Sequence, residues 1–382
     1  MQSLDAFQDW LKTYRQVPLL LEQERWKDAL ETIAQLQTLL PVQPSLAETL
    51  PWQDLNLALH QILSAQAEIF WEIHPEIQLA AWQAQAYFHL KQAHQAIQVL
   101  QKLIANHSVS AAVYHQLSRY LWAEGRVEEG LLPLYQALEK EPAYLPAYID
   151  LVFLANGQKA FERVYQLARM GFREGFSLRL LEEVALAAAQ REAFDLRFLL
   201  LELCVQNIQP ESRDVLVDLA KSLYLQGDYK NCEYLSYHLM QVFSEDAEIF
   251  DLHLLAVMQL EHWVPAIRLL KRSLAAQAEN PGHWFRLGIA YSRWQMPLLA
   301  RYALGQALAL NPETELQLEC QALLEQLPQS RSLEASVAEL LRESLLTPGF
   351  SEKIRNQCPE TLAELGIAWN DELGEALQEI LI

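Results

Sequence analysis

Residues that interrupt helices are scarce in this sequence. Only 12 of its 382 residues are glycine and 16 are proline, whereas 51% are hydrophobic and 20% are charged. This balance excludes a disordered, collagen-like or low-complexity chain, because such chains hold too few apolar residues to bury a core. Leucine and other good helix formers are abundant, so the composition favours an all-helical protein.

Cysteine is also scarce. The four cysteines lie far apart without a C-x-x-C pair, which excludes a disulfide framework and a zinc knuckle and favours a reducing compartment. The sequence does not open with a basic segment followed by an apolar run, so we expect no signal peptide. No apolar run approaches the roughly 20 residues of a membrane span. We therefore expect a cytoplasmic protein that is not an integral membrane protein.

Positive charge is in deficit. The chain holds 29 Lys and Arg against 49 Asp and Glu, which gives a net charge of −20. A field of that sign repels phosphate groups, so nucleic acid is not an expected partner and an anionic membrane surface is disfavoured.

Motifs that carry catalysis or bind cofactors are missing. The sequence contains no phosphate-binding glycine loop, no H-E-x-x-H, no G-x-S-x-G and no kinase motif set. Its ten histidines are scattered, without the clustered spacing of metal ligands. We therefore expect no enzyme activity, no catalytic residues, no cofactor and no metal.

A 34-residue period runs through the middle of the chain. The stretch W-F-R-L-G-I-A-Y begins at Trp284 and is followed by Ala300, Leu304, Ala307 and Pro312. This pattern resembles the tetratricopeptide repeat, whose signature is W-x2-L-G-x2-Y, then A-x3-F, then P. The same frame recurs upstream, where Gly125 and other residues fall at matching positions.

Seven such units at constant period cover residues 77–314. The resemblance implies that each unit is a pair of antiparallel helices, and that neighbouring pairs stack into a right-handed superhelix with a concave groove. The predicted fold class is therefore all-α, an α-solenoid with helical caps at both ends. The predicted parts are residues 1–76, a divergent repeat plus a long helix over 52–73; 77–314, the seven repeats; 315–348, a divergent last helix pair; and 349–382, an acidic tail with short helices near 359–365 and 371–380.

The resemblance also implies which residues line the groove, since these come from fixed positions of each first helix. The lining is mixed aromatic and polar, which suits an extended or helical peptide. For Trp82 and Trp122 the alternative is packing between adjacent helices. The predicted groove residues are Trp82, Gln85, His89, His115, Arg119, Trp122, Lys221, Tyr224, Phe285, Arg286 and Arg293.

Charge is uneven near the end of the repeats. Between Trp263 and Asn311, six basic residues accompany the single acid Glu279, with aromatic residues interleaved. This basic segment 263–311 predicts a partner with acidic groups. Residues 333–382 hold ten acids against three bases, so the tail is a second candidate occupant of the basic segment, the alternative being a solvated acidic end.

Some relatives in this family clamp the C-terminal carboxylate of a peptide with Lys, Asn and Arg side chains. Arg286 matches the arginine of that clamp, but Gly282 stands at the lysine position, and Leu252 and Lys221 stand at asparagine positions. The clamp is incomplete, which disfavours a chaperone-tail adaptor.

The predicted function is a non-catalytic scaffold or adaptor, bacterial in character, that binds a protein or peptide in the groove. One alternative is a peptide-sensing regulator whose N-terminal helical region acts on a second protein. Another is a non-catalytic subunit or assembly factor of a larger enzyme complex. The oligomeric state stays open.

Overall fold

The computed structural model describes residues 10, 12–39, 75–328, 333–347, 349–356 and 361–363. The described residues form 19 α-helices, numbered α1 to α19 in chain order, and no strand. The predicted all-α solenoid class is thereby confirmed. The predicted helices over 52–73 and 371–380 lie outside the described residues.

The chain divides into two compact units, residues 1–207 and 208–382. The helices of unit 1 are α1 (Gln16–Glu22), α2 (Trp26–Leu39), α3 (Pro75–His89), α4 (Ala93–Asn106), α5 (Ala111–Ala123), α6 (Val127–Lys140), α7 (Leu145–Gly157), α8 (Phe161–Glu174), α9 (Leu178–Ala189) and α10 (Arg197–Gln206).

Unit 2 continues the pattern of helix pairs. Its helices are α11 (Arg213–Leu225), α12 (Tyr229–Val242), α13 (Ala247–Gln259), α14 (Trp263–Ala276), α15 (Pro281–Arg293), α16 (Pro297–Ala309), α17 (Thr314–Gln326), α18 (Leu333–Leu346) and α19 (Phe350–Asn356).

A left-handed residue ends the first helix of most pairs. Gly125 and Gly227 take this conformation with φ of 78° and 79°. A left-handed residue just past a helix lets backbone N–H groups cap the last carbonyls, so the chain can reverse within a few residues. The left-handed turn residues are separated by 34 positions, except for one interval of 68 between Lys159 and Gly227, and they are Lys91, Gly125, Lys159, Gly227, Glu261 and Gln295.

The pair α9–α10 departs from this pattern. It connects through a 3₁₀ turn at Arg191–Ala193, and α10 has ten residues where α8 has 14. The buried Arg197 side chain stabilises the altered turn, because its guanidinium donates to the carbonyl oxygens of Ala188 and Gln190, each at 2.9 Å.

Close helix approach within a pair depends on small residues. A Cβ placed on Gly288 of α15 would lie 2.7 Å from the Leu304 side chain of α16. A Cβ on Gly130 of α6 would lie 2.3 Å from the indole nitrogen of Trp122 on α5. Both glycines therefore let a large side chain of the partner helix pack directly on backbone.

Candidate protein-binding face

The first helices α5, α7 and α9 of unit 1 contact each other along one side. Asp150 of α7 lies 2.7 Å from His115 of α5, and Asn156 of α7 donates to the Glu183 carbonyl of α9 at 3.2 Å. Phe153 lies three residues from each of these contacts. Because a helix turns about 100° per residue, position 153 faces midway between the two neighbouring helices, away from the stack.

Phe153 is accordingly exposed, at 57% of its surface, and so is Leu186 of α9, also at 57%. Arg119 of α5 is the third exposed residue of the set. Each is the ninth residue of its helix, so the three occupy equivalent positions on successive first helices. We call this surface the unit 1 first-helix face.

Charged groups border the apolar residues of this face. Asp150 accepts from His115, whose other ring nitrogen lies 3.2 Å from the Tyr144 hydroxyl. Burial raises the pKa of Tyr144 to about 12, so the phenol stays neutral and can donate or accept. Burial also raises the pKa of the Glu183 carboxyl. A cationic group of a partner would offset that cost of burial and favour the charged carboxylate.

The first helices of unit 2 carry ion pairs instead. Arg213 lies 2.7 Å from Asp246 and 2.7 Å from Glu248, and Lys221 also lies 2.7 Å from Glu248. The Arg213 hydrogen bond lowers the pKa of the Asp246 carboxyl, and Lys221 followed by Arg213 lowers that of Glu248. A charged partner would have to compete with these intramolecular bonds.

Arg286, the predicted clamp arginine, also forms an ion pair within the chain. Arg286 of α15 donates to Asp251 of α13 at 2.6 Å, and His283 lies 3.7 Å from the same carboxylate. Burial is the main cause that lowers the pKa of His283. The clamp arginine thus already holds a carboxylate of its own chain.

An acidic helix covers part of the basic segment 263–311. Lys271 contacts the carboxylate of Glu343 on α18, and the Tyr291 hydroxyl donates to the same carboxylate at 2.9 Å. Glu339, one turn earlier, accepts from the Leu298 backbone N–H at 2.9 Å. Two of the ten acids in residues 333–382 are therefore bound to the basic segment, whereas most of the segment 349–382 lies outside the described residues.

Two predicted groove residues are in the core. Trp82 is fully buried, with its ring 5.1 Å from that of Tyr14, and Gln85 is 5% exposed. Tyr14 and other N-terminal residues pack on α3 and cover Trp82. The prediction that Trp82 and Gln85 line an open groove is therefore wrong, and Trp82 packs between helices as the alternative held.

Two further groove candidates are occupied by packing. His89 is exposed, but its ring stacks on Trp26 at 4.1 Å. Trp122 is half-buried against Gly130 of its own pair, and its indole N–H donates to the Val127 carbonyl at 3.2 Å. Trp122 therefore also packs between adjacent helices.

The remaining predicted groove residues are at least partly exposed to solvent. His115 is 8% exposed, and its ring nitrogens are engaged by Asp150 and Tyr144. Tyr224 and Phe285 are half-buried, and Arg293 is exposed. Phe153 and Leu186 are exposed but are not among the groove residues that the sequence predicts.

The sequence separation between polar residues indicates which of them pair within the chain. Side chains that pair across neighbouring repeats are separated by about one period. The separations are 35 residues for His115–Asp150, Arg213–Glu248 and Arg286–Asp251, 34 for Asn156–Gln190, and 33 for Arg213–Asp246 and Lys159–Glu192. Opposite charges one period apart therefore predict an internal ion pair rather than two binding groups.

Within the described ranges, no helix is long and apolar enough to cross a membrane. The same residues hold no group of three His, Cys, Asp or Glu side chains that could ligate a metal ion.

Comparison with known proteins identifies the repeat. Residues 82–108 match the family model described as tetratricopeptide repeat, which confirms the predicted resemblance for this segment. No curated protein matches the chain. A stack of such helix pairs is typically a non-catalytic scaffold for protein partners.

Solved structures with a similar arrangement are distant. The C-terminal part of a TPR repeat-containing protein from Cytophaga hutchinsonii is 12% identical, with 80% of this chain and 98% of that chain covered and a TM-score of 0.40. A tetratricopeptide repeat protein from Parabacteroides merdae is 11% identical, with 83% and 98% covered and a TM-score of 0.37. The TPR2AB domain of yeast Sti1 in its complex with pHSP90 is 13% identical, with 65% and 97% covered and a TM-score of 0.31.

Proposed function

We propose that this protein is a scaffold or adaptor that binds a protein or peptide partner on the unit 1 first-helix face. The exposure of Phe153 and Leu186 at equivalent positions of adjacent first helices carries the proposal. Exposed apolar side chains bordered by charged groups are typical of the anchors of protein interfaces. Arg119 lies on one flank and Glu183 on the other, so the partner that fits best has an apolar centre with charges of opposite sign at its two ends.

The double variant Phe153→Glu/Leu186→Glu tests this function. Both side chains are more than half exposed, so we expect the fold to be kept and partner binding to be lost. The measurement is affinity capture from extracts of cells that naturally make the protein, followed by mass spectrometry. The wild type and the variant are compared at equal loading, with circular dichroism to verify helix content.

The matched control is Leu132→Glu, because Leu132 is 65% exposed on the second helix α6. A partner that is retained by the wild type and the control but lost by the double variant supports the proposal. A partner that all three proteins retain equally would place binding away from Phe153 and Leu186.

A further inference from the structure

The irregular pair α9–α10 opens a pocket in unit 1. The 3₁₀ turn at Arg191–Ala193 delays the start of α10 to Arg197, 36 residues after the start of α8, where the period would place it after 34. The second helices α8 and α10 therefore meet out of register. A pocket of about 450 Å³ lies in the seam between them.

The pocket combines cationic, aromatic and amide groups. Its volume is within the range of sites that hold a small ligand or a few side chains. One wall is the C-terminal half of α8, and the other is the face of α10 that Leu199 and Glu202 share. The lining residues are Tyr165, Arg169, Phe172, Arg173, Leu199, Glu202, Leu203, Gln206 and Asn207.

Two arginines dominate the charge of this pocket. Arg169 and Arg173 are exposed and lie one turn apart on α8. Neither guanidinium forms a hydrogen bond or an ion pair with the part of the chain that the structure describes. Like charges at this spacing repel each other, and an anion bound between them relieves the repulsion. Glu202 is the single acid in the lining.

We propose that this pocket is a second binding site, independent of the unit 1 first-helix face, and that it takes a short acidic peptide segment. Each guanidinium can hold a carboxylate through two parallel N–H donors. Phe172 and Leu199 offer an apolar surface to the side chain between two carboxylates. The fitting ligand therefore has two acidic residues with one apolar residue between them.

A peptide titration tests the site on the full chain. The probe is N-acetyl-Glu-Leu-Glu-amide, and its dissociation constant is measured by saturation-transfer difference NMR. We expect N-acetyl-Gln-Leu-Gln-amide to bind at least about tenfold more weakly, because hydrogen bonds to charged groups are the stronger ones. N-acetyl-Gln-Leu-Gln with a free C-terminus separates a terminal carboxylate from side-chain carboxylates as the recognised group.

Three variants locate the binding. Arg169→Gln/Arg173→Gln should weaken the probe by about tenfold or more, since it removes both cations. Glu202→Gln should strengthen binding severalfold, because the acid that repels the probe is gone. Lys12→Gln/Arg15→Gln is the control, because these two exposed basic residues lie three positions apart in unit 1 and outside both the pocket and the basic segment 263–311, and it should leave the affinity unchanged.

Two results would overturn the proposal. One is an affinity that Arg169→Gln/Arg173→Gln does not change. The other is an equal loss in the Lys12→Gln/Arg15→Gln control, which would show attraction to any pair of basic residues rather than to this pocket. Binding by Phe153→Glu/Leu186→Glu at wild-type affinity is expected, and it separates this site from the unit 1 first-helix face.

Discussion

Two glycines of the same helix pair show how one side chain decides the fit between helices. Gly288 of α15 faces Leu304, and an added Cβ would lie 2.7 Å from that side chain. Gly305 of α16 has no atom within 4 Å of the Cβ position. Both residues lie inside helices, where glycine is less favourable than alanine by about 1 kcal/mol. Packing therefore determines whether each glycine-to-alanine substitution raises or lowers the free energy of unfolding.

We expect Gly288→Ala to lower the free energy of unfolding by about 1–3 kcal/mol, because Leu304 must move to admit the methyl group. Gly305→Ala should raise it by about 0.5–1 kcal/mol through helix propensity alone. Urea unfolding followed by circular dichroism measures both changes. Equal stabilisation by the two variants would show that the space between α15 and α16 accommodates the added methyl group.

A buried histidine in unit 2 makes stability depend on pH. The Ser236 hydroxyl donates to the Cys232 carbonyl at 2.6 Å, so its oxygen is left to accept from the His253 ring nitrogen Nδ1 at 3.0 Å. Burial lowers the pKa of His253 below its usual value. The unfolded chain therefore binds the proton more readily than the folded chain when the pH falls below about 6.5.

Unit 2 should consequently lose stability as the pH falls from 7 to 5. The variant His253→Asn keeps a donor toward Ser236 but cannot ionise, so its unfolding free energy should fall less steeply over the same range. Chemical unfolding at a series of pH values measures the slope. His94→Asn, which removes an exposed histidine of α4, should keep the wild-type slope. A slope for His253→Asn equal to that of the wild type would contradict this assignment.

At the scale of helices, the sequence predicts most of the architecture. The turn glycines, the small residue at Gly288 and the period of 34 place the helix pairs, because each depends on local chemistry that every unit repeats. The altered turn before α10 was not predictable in this way, since it depends on Arg197 reaching two carbonyls within the folded pair.

Site residues were predicted less well, because a position on a helix does not reveal which other residues cover it. Trp82 is the clearest example, since the N-terminal helices bury it.

Helix α18 is held to the repeats by a buried ionic contact. Burial lowers the pKa of Lys271 to about 7, and the Glu343 carboxylate beside it favours the charged form of the lysine. Glu343 also accepts from Tyr291 and from the Thr347 hydroxyl, at 2.9 and 2.7 Å. Removal of one partner of such a pair leaves a buried charge without compensation.

We expect Lys271→Met to destabilise unit 2 by about 3–5 kcal/mol, since Glu343 is left buried without its base. The double variant Lys271→Met/Glu343→Gln should recover most of that loss, because glutamine still accepts from Tyr291 and carries no charge. Thermal unfolding of Lys271→Met, Glu343→Gln and the double variant completes the double-mutant cycle. Additive effects would show that the contact between Lys271 and Glu343 contributes no coupling energy.

For the whole molecule, stability is distributed along the chain rather than gathered in one core. In the part of the chain that the structure describes, separate clusters of buried residues lie within 10–36 together with 79–86, within 77–121, and within 254–327 together with Leu346. In a stack of repeats each pair is stabilised by its own packing and by its immediate neighbours. A cavity made in one pair should therefore weaken that pair and those beside it, while distant pairs keep their protection.

Leu134 of α6 and Leu270 of α14 allow a matched test of this distribution. Both are fully buried, and each is the eighth residue of a second helix. Replacement of either by alanine should cost about 2–5 kcal/mol in local stability. Hydrogen exchange measured by mass spectrometry should rise in α3–α8 for Leu134→Ala and in α11–α16 for Leu270→Ala, with the other set unchanged. A rise of similar size in both sets for either variant would show instead that the repeats unfold as one cooperative body, because nearest-neighbour stacking alone does not transmit a loss over that many pairs.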